Sequence, residues 1–163
     1  MTVTPWNPAT VVSKTRIAVT TCAAVTDIKN PTVAELSAGM GLECAMEDFN
    51  PSAEVSNETV NWMCQQVAEN LPGNTEYSIE DLTIKASGQN DTDLLTQLAP
   101  GDVTYLWGRY GIAHDTPLEA GQTVWVWKVQ VTSVAPLAAS NLYVGYAVKV
   151  SVLDCSGPVT VQA

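Results

Sequence analysis

The sequence predicts a mainly β domain, a β-sandwich or partly closed barrel with one flanking α-helix. Three observations carry this. Two runs rich in Val, Thr, Tyr and Trp within residues 101–134 flank a linker holding Gly111, Pro117 and Gly121, the pattern of two adjacent strands joined by a mobile loop. Leu142, Val144, Tyr146, Val148, Val150 and Val152 occupy every second position, the period of a strand. Valine and threonine are abundant throughout, and such β-branched residues suit pleated surfaces. With 163 residues, the chain has the length of one domain, which buries roughly 70% of its unfolded surface without staples.

Taken in order, residues 1–15 contain Pro5 and Pro8 and no alternation, so they read as an extended N-terminal arm on a single domain spanning residues 16–163. Trp6 within that arm either tucks back onto its own domain or inserts into a neighbour. Residues 16–25 form a strand of small and β-branched residues. A short helix follows: Asn30 or Thr32 can cap it, Pro31 suits a first turn, residues 32–35 fit a capping box, and Gly39 can end it. Leu42, Cys44 and Met46 then oppose Glu43, Ala45 and Glu47 as a half-buried strand.

Residues 49–55 read as a turn, and Val60, Trp62 and Cys64 as a second half-buried strand, making a hairpin with a long tip. Residues 71–74 mark another turn. A weaker strand over 76–86 places Leu82 and Ile84 on one face with Glu76 and Glu80. Residues 91–101 predict a helix with Asp91 and Asp93 in its first turn, Leu94, Leu95 and Leu98 on one side, and Pro100-Gly101 as its stop. In the run 124–134, Val124, Val126, Val129, Val131 and Val134 sit with Trp125 and Trp127, so both faces are apolar and the strand is buried twice. One face covers the core; the other, with its tryptophans, meets something else. Residues 156–163 read as a tail or short edge strand.

The net charge is −10, and between Glu43 and Asp102 twelve acidic residues face one base, Lys85. Binding nucleic acid by phosphate neutralisation is disfavoured. The surface either resists aggregation or repels polyanions. Cys22, Cys44, Cys64 and Cys155 contain no CxxC spacing, which gives metal or redox chemistry little support. With no signal-like start and no apolar run of membrane-spanning length, synthesis in a cytosol without a membrane anchor is expected. The four thiols then read as reduced, buried, small apolar groups, and the glycosylation triplets at Asn57 and Asn90 as chance matches.

No catalytic, cofactor-binding or metal site is expected. His114 is the only histidine, so a multi-histidine metal site is excluded, and a loop histidine is most simply solvated. Carboxylate pairs such as Glu43 and Glu47, Glu80 and Asp81, or Asp91 and Asp93 read as a solvated acidic face. The five tryptophans admit a carbohydrate platform on a monomeric binding module, although core or subunit contact fits their strand positions better.

The segments NPTVAELSAGMGLECAMEDFN, NETVNWMC, DTDLLTQLAPGDVTYLWGRYG and AGQTVWVWKVQVTSVAP, in this order over residues 16–153, resemble the major tail proteins, or tail tube proteins, of long-tailed phages that infect actinobacteria. The resemblance implies a tail-tube-like β-sandwich whose six-membered rings stack into a hollow tube through which DNA passes, with no enzymatic activity and no cofactor. Its partners would be itself, other tail proteins and DNA in transit, and its location the virion tail after assembly in the host cytoplasm. In that frame Glu43, Glu47, Glu76 and Glu80 are candidate lumen-facing acids. Trp6, Trp125, Trp127, Val129 and Val131 are candidate subunit-interface residues, and residues 1–15 and 49–57 are candidate connectors between rings. A decoration or tail-terminator protein of the same phage class is the nearest alternative.

Overall fold

The computed structural model describes residues 18–22 (backbone only), 25–42, 45–46, 48–64, 66–86, 95–113, 115–137 and 145–163. It is mainly β, with a six-stranded sheet curled into a half barrel and few helices, consistent with a β-sandwich. The elements are β1 (Ala18–Cys22), α1 (Val33–Ser37), β2 (Met40–Gly41), β3 (Pro51–Val60), β4 (Glu69–Ile79), β5 (Leu82–Lys85), β6 (Val103–Arg109), β7 (Thr123–Pro136) and β8 (Gly145–Thr160). The large sheet runs β2-β1-β6-β7-β8-β5, and β3 and β4 form a separate two-stranded ribbon.

The expected pairing of the two runs in 101–134 is present: β6 and β7 are antiparallel, with Leu106 opposite Trp127 and Trp107 opposite Val126. The strand β7 is indeed covered on both faces, yet by its own chain. Trp127, Val129 and Val131 enter one core with Leu42, Phe49, Ile79, Leu82, Ile84, Leu98, Leu106 and Val148, and Trp125 packs against it. Val124 and Val126 enter a second core with Val25, Leu36, Trp107 and Val161. Trp125 and Trp127 therefore lie on the principal core face, and it is the face of Val124 and Val126 that Val25, Leu36 of α1 and Val161 cover.

That arrangement rests on α1. Thr32 Oγ1 accepts a hydrogen bond from Glu35 N at 3.3 Å while Glu35 Oε2 accepts one from Thr32 N at 3.1 Å, the reciprocal capping box that satisfies two helix-start donors. The helix so started buries Leu36 completely. The C-terminal residues are no loose tail: β8 continues to Thr160, Val161 is buried, and Gln162 bridges Thr32. Pairing of β7 with β8 shifts register three times, between Val124 and Val126, Lys128 and Val129, and Val131 and Ser133. Each extra residue bends and twists the strand locally, which accounts for the curl of the sheet. It also exposes Leu153, 51% accessible beside half-buried Val152.

The loop after β6 is tied down rather than mobile. Arg109 is 2% exposed. Its Nη1 donates to Pro117 O (3.2 Å) and Gln122 Oε1 (2.9 Å), and its Nη2 to Ala113 O (3.1 Å) and Thr116 O (2.7 Å). One rigid guanidinium thereby gathers the loop 110–122. Before β6, the predicted Pro100-Gly101 stop is a tight turn: Asp102 N donates to Ala99 O at 3.1 Å. Gly101 has φ of 90°, a conformation glycine adopts without steric cost. The described part of the preceding helix is a turn at 95–97, with Leu98 buried.

The largest departure from expectation lies between residues 42 and 86. Strand alternation around Val60–Cys64 and turns at 49–55 and 71–74 are the sequence's expectation; instead β3 spans Pro51–Val60 and ends before Trp62, and β4 spans Glu69–Ile79 and runs through 71–74. Pro72 and Gly73 sit inside β4 beside a register shift between Val55 and Asn57. Proline is tolerated on such an irregular edge ribbon. A Cβ at residue 73 would lie 2.8 Å from Ser56 O, so the close approach of the two strands there requires glycine. Of the expected strand over 42–46, Glu43 and Cys44 lie outside the described residues, and Met46 makes an isolated bridge to Ile84; the weak strand over 76–86 divides at residues 80–81 into β4 and β5.

Candidate assembly surface

The β3–β4 ribbon projects as an arm. Residues 52–59 of β3 and 69–76 of β4 are all exposed, so the ribbon meets solvent on both faces. Near its base it is amphipathic, as strand alternation requires. Ser52, Glu54, Glu76 and Ser78 share one face, and Ala53, Val55, Thr75 and Tyr77 the other. The hydroxyls of Ser52 and Ser78 bond to each other at 2.7 Å, and Thr59 Oγ1 donates to Asn70 Oδ1 at 2.9 Å. Seven acids and no base lie between residues 48 and 84, so the arm presents an acidic surface.

Its tip is apolar. Trp62 is 53% exposed, Met63 108% and Val67 78%. A two-stranded hairpin is marginal by itself in water, and three large apolar groups at its end add surface that favours contact with a partner.

At the arm's base lies a cleft of about 390 Å³ lined by Pro51, Ser52, Ala53, Tyr77, Tyr110, Trp125 and Trp127. Its floor is aromatic. Trp125 and Trp127 stack with centroids 6.2 Å apart and planes 14° from parallel, and Phe49 meets Trp127 edge-on at 5.2 Å. Tyr110, the residue after the anchored Arg109, forms one wall. Burial, and secondarily Cys155, pushes its phenol above the usual value. The polar side-chain groups that line the cleft are two phenols, one serine hydroxyl and the tryptophan indole N–H groups, with no carboxylate, amide or guanidinium.

The sequence profile of the phage tail tube protein family matches residues 4–163. The chain belongs to the phage tail tube protein family. It is a structural protein of the bacteriophage virion and sits in the tail. No curated protein matches the chain. No helix among the described residues of this tail tube protein is long and apolar enough to cross a membrane.

Within the tail tube fold, the candidate residues separate. Glu76 is exposed on β4, opposite Glu54. Glu80 is exposed at the arm's base, where its Oε2 accepts a hydrogen bond from Asn50 Nδ2 at 3.1 Å. Glu43 and Glu47 lie outside the described residues, as do Trp6, His114 and the arm of residues 1–15. Trp125 is half-buried at the cleft. Trp127, Val129 and Val131 are at most 3% exposed because they pack in the protomer's own core, and Trp127 also lines the floor of the cleft.

Cys64 is exposed at the arm's tip rather than buried, since the strand ends at Val60; Cys155 is half-buried. Sequence reasoning missed Glu54, the tip side chains and Tyr110. The juxtaposition of Trp62 and Met63 with polar residues on both sides was the available signal.

Proposed function

We propose that this tail tube protein polymerises as six-membered rings that stack into the hollow tail of a long-tailed phage of actinobacteria, forming the conduit for DNA ejection. Its role is structural, without catalysis or cofactor. The observation that carries this reading, beside family membership, is the β3–β4 arm, exposed on both faces and apolar at its end. Such an element gains its stability from a neighbour.

The sheet edges support the same reading. The outer edge of β8 pairs with β5 only over 145–148, so beyond Val148 it carries no strand among the described residues. An open edge of this length is a template for another chain, and repeated pairing around an axis closes a ring. Glu76, Glu80, Glu43 and Glu47 are proposed to face the lumen, with Glu54 beside Glu76. DNA carries one negative charge per about 1.7 Å of axis, so a wall of like charge lets it slide without binding. Residues 1–15 are proposed as a second connector between rings, and other tail proteins as partners at the tube's ends.

Negative-stain electron microscopy of the purified chain over a range of concentrations, with sedimentation alongside, tests the proposal. Rings or hollow tubes are expected. Persistent monomers at high concentration would refute it. Lysine at Glu76 and Glu80 is expected to leave tubes intact and slow DNA ejection; unchanged ejection would remove these acids from the lumen.

A further inference from the structure

We infer that the apolar tip of one copy's β3–β4 arm, Trp62 with Met63 and Val67, seats in the aromatic cleft of another copy formed by Pro51, Ala53, Tyr77, Tyr110 and Trp125. The inference rests on the tail tube reading and names the contact by which copies join.

The tip holds three large apolar side chains, among them Met63 with no contact that shields it. The cleft is a concave apolar surface with a stacked tryptophan pair at its floor and about 390 Å³ of space. A sugar's hydroxyls call for carboxylates and amides, and the lining supplies none, only one serine hydroxyl, two phenols and the indole N–H groups of its tryptophans. An indole or thioether needs none, and thioethers make favourable contacts at aromatic edges.

The arm cannot fill its own cleft. Ala53 lines the cleft and Trp62 is at the tip, nine positions along the same ribbon, which at the rise of a strand is about 30 Å. The occupant is therefore a second copy. Knob and cleft are different patches of one chain, so their contact is heterologous and propagates from copy to copy instead of stopping at a symmetric pair. A tip of this size covers a few hundred Å², below the roughly 1,000 Å² of a lasting two-body interface. Single pairs are then short-lived, and assembly persists only where ring closure or stacking repeats the contact.

Cys64 at the tip supplies a built-in probe. In the full chain, Ala53→Cys places a second thiol in the cleft. Treatment with a short bismaleimide is expected to give a ladder of covalent oligomers, lost when Cys64→Ser is added. Trp62→Ser is expected to raise the concentration needed for assembly by about tenfold or more, as loss of a central aromatic anchor does, with the circular dichroism spectrum unchanged. Tubes of Ala53→Cys protein that give no ladder would overturn the inference while leaving the tube reading intact. A ladder from protein that never forms rings or tubes would support the contact and sink the tube reading. Covalent dimers in the unsubstituted chain, joined through Cys64 of both copies, would show tip meeting tip and overturn it.

Discussion

Glu54 and Glu76 stand directly opposite each other across β3 and β4, both exposed, on the same face of the arm. Like charges at paired positions weaken a ribbon, and no Lys, Arg or His lies between residues 48 and 84 to offset them. The arm thus carries acid at the expense of its own pairing, as expected of a surface whose charge serves something other than folding.

Glu54→Lys is expected to strengthen the arm by about 0.2–1 kcal/mol through a cross-strand ion pair. Amide hydrogen exchange in β3 and β4 should slow. Faster exchange in the variant would show that the two carboxylates do not repel there.

Arg109→Lys is expected to destabilise the protein despite keeping the charge. An ammonium cannot reach all four oxygens that the planar guanidinium gathers. Leaving these part-buried acceptors and the buried charge short of partners costs about 2–4 kcal/mol, or ~5–10 °C in Tm for a chain of this length. Limited proteolysis should cut within 110–122. A variant that melts with the parent would remove the loop-anchoring role.

Glu35 gives the helix end a pH dependence. Hydrogen bonds from Thr26, and then from Thr32, hold its carboxyl below its ordinary value of 4.5. A folded-state value below the unfolded one means that the ionised group stabilises the fold above about pH 4.5, and that this contribution fades as pH falls through the lower folded value. The stability gap between the parent and Glu35→Gln should therefore be full near pH 7 and close in acid. Thr32→Ala should cost about 1 kcal/mol, the usual worth of an N-cap. Urea titrations at pH 7 and pH 3.5 check both; a gap that widens in acid would contradict the assignment.

Cys155 should be a slow thiol. Burial, with Asp154 beside it, pushes it from 9.0 to about 11, so its thiolate population falls about 100-fold below that of an unperturbed cysteine. A brief maleimide pulse at pH 7.5 followed by peptide mapping should label Cys64, exposed at the arm's tip, well ahead of Cys155. Equal labelling would mean that the β8 face holding Cys155 opens in solution.

Several features were legible because few consecutive residues decide them. Thr32 and Glu35 bond to each other's backbone, and Pro100-Gly101 sets its own dihedral angles. The runs of β6 and β7 pair across a loop short enough for neighbours in sequence to become neighbours in space. The acidic face of 48–84 was also legible, since charge counts need no geometry. The arm was not. Pro72 and Gly73 normally punctuate, and only the bulge beside Val55 lets β4 run through them.

The sequence by itself determined that the chain is mainly β, that a capping box starts its helix, that its surface is acidic, and which phage tail family it resembles. The tertiary structure alone decided which way the alternating side chains point. With apolar groups on both faces of β7, alternation cannot say whether Trp127 or Val126 faces the principal core. Of the register shifts, two add a residue to β8 and one adds a residue to β7 after Val131, and each changes the phase of alternation only in the strand that carries the extra residue. Tertiary packing also decided that Arg109 is a buried anchor and not a surface charge, because its oxygens come from a loop that closes only once β6 and β7 have paired.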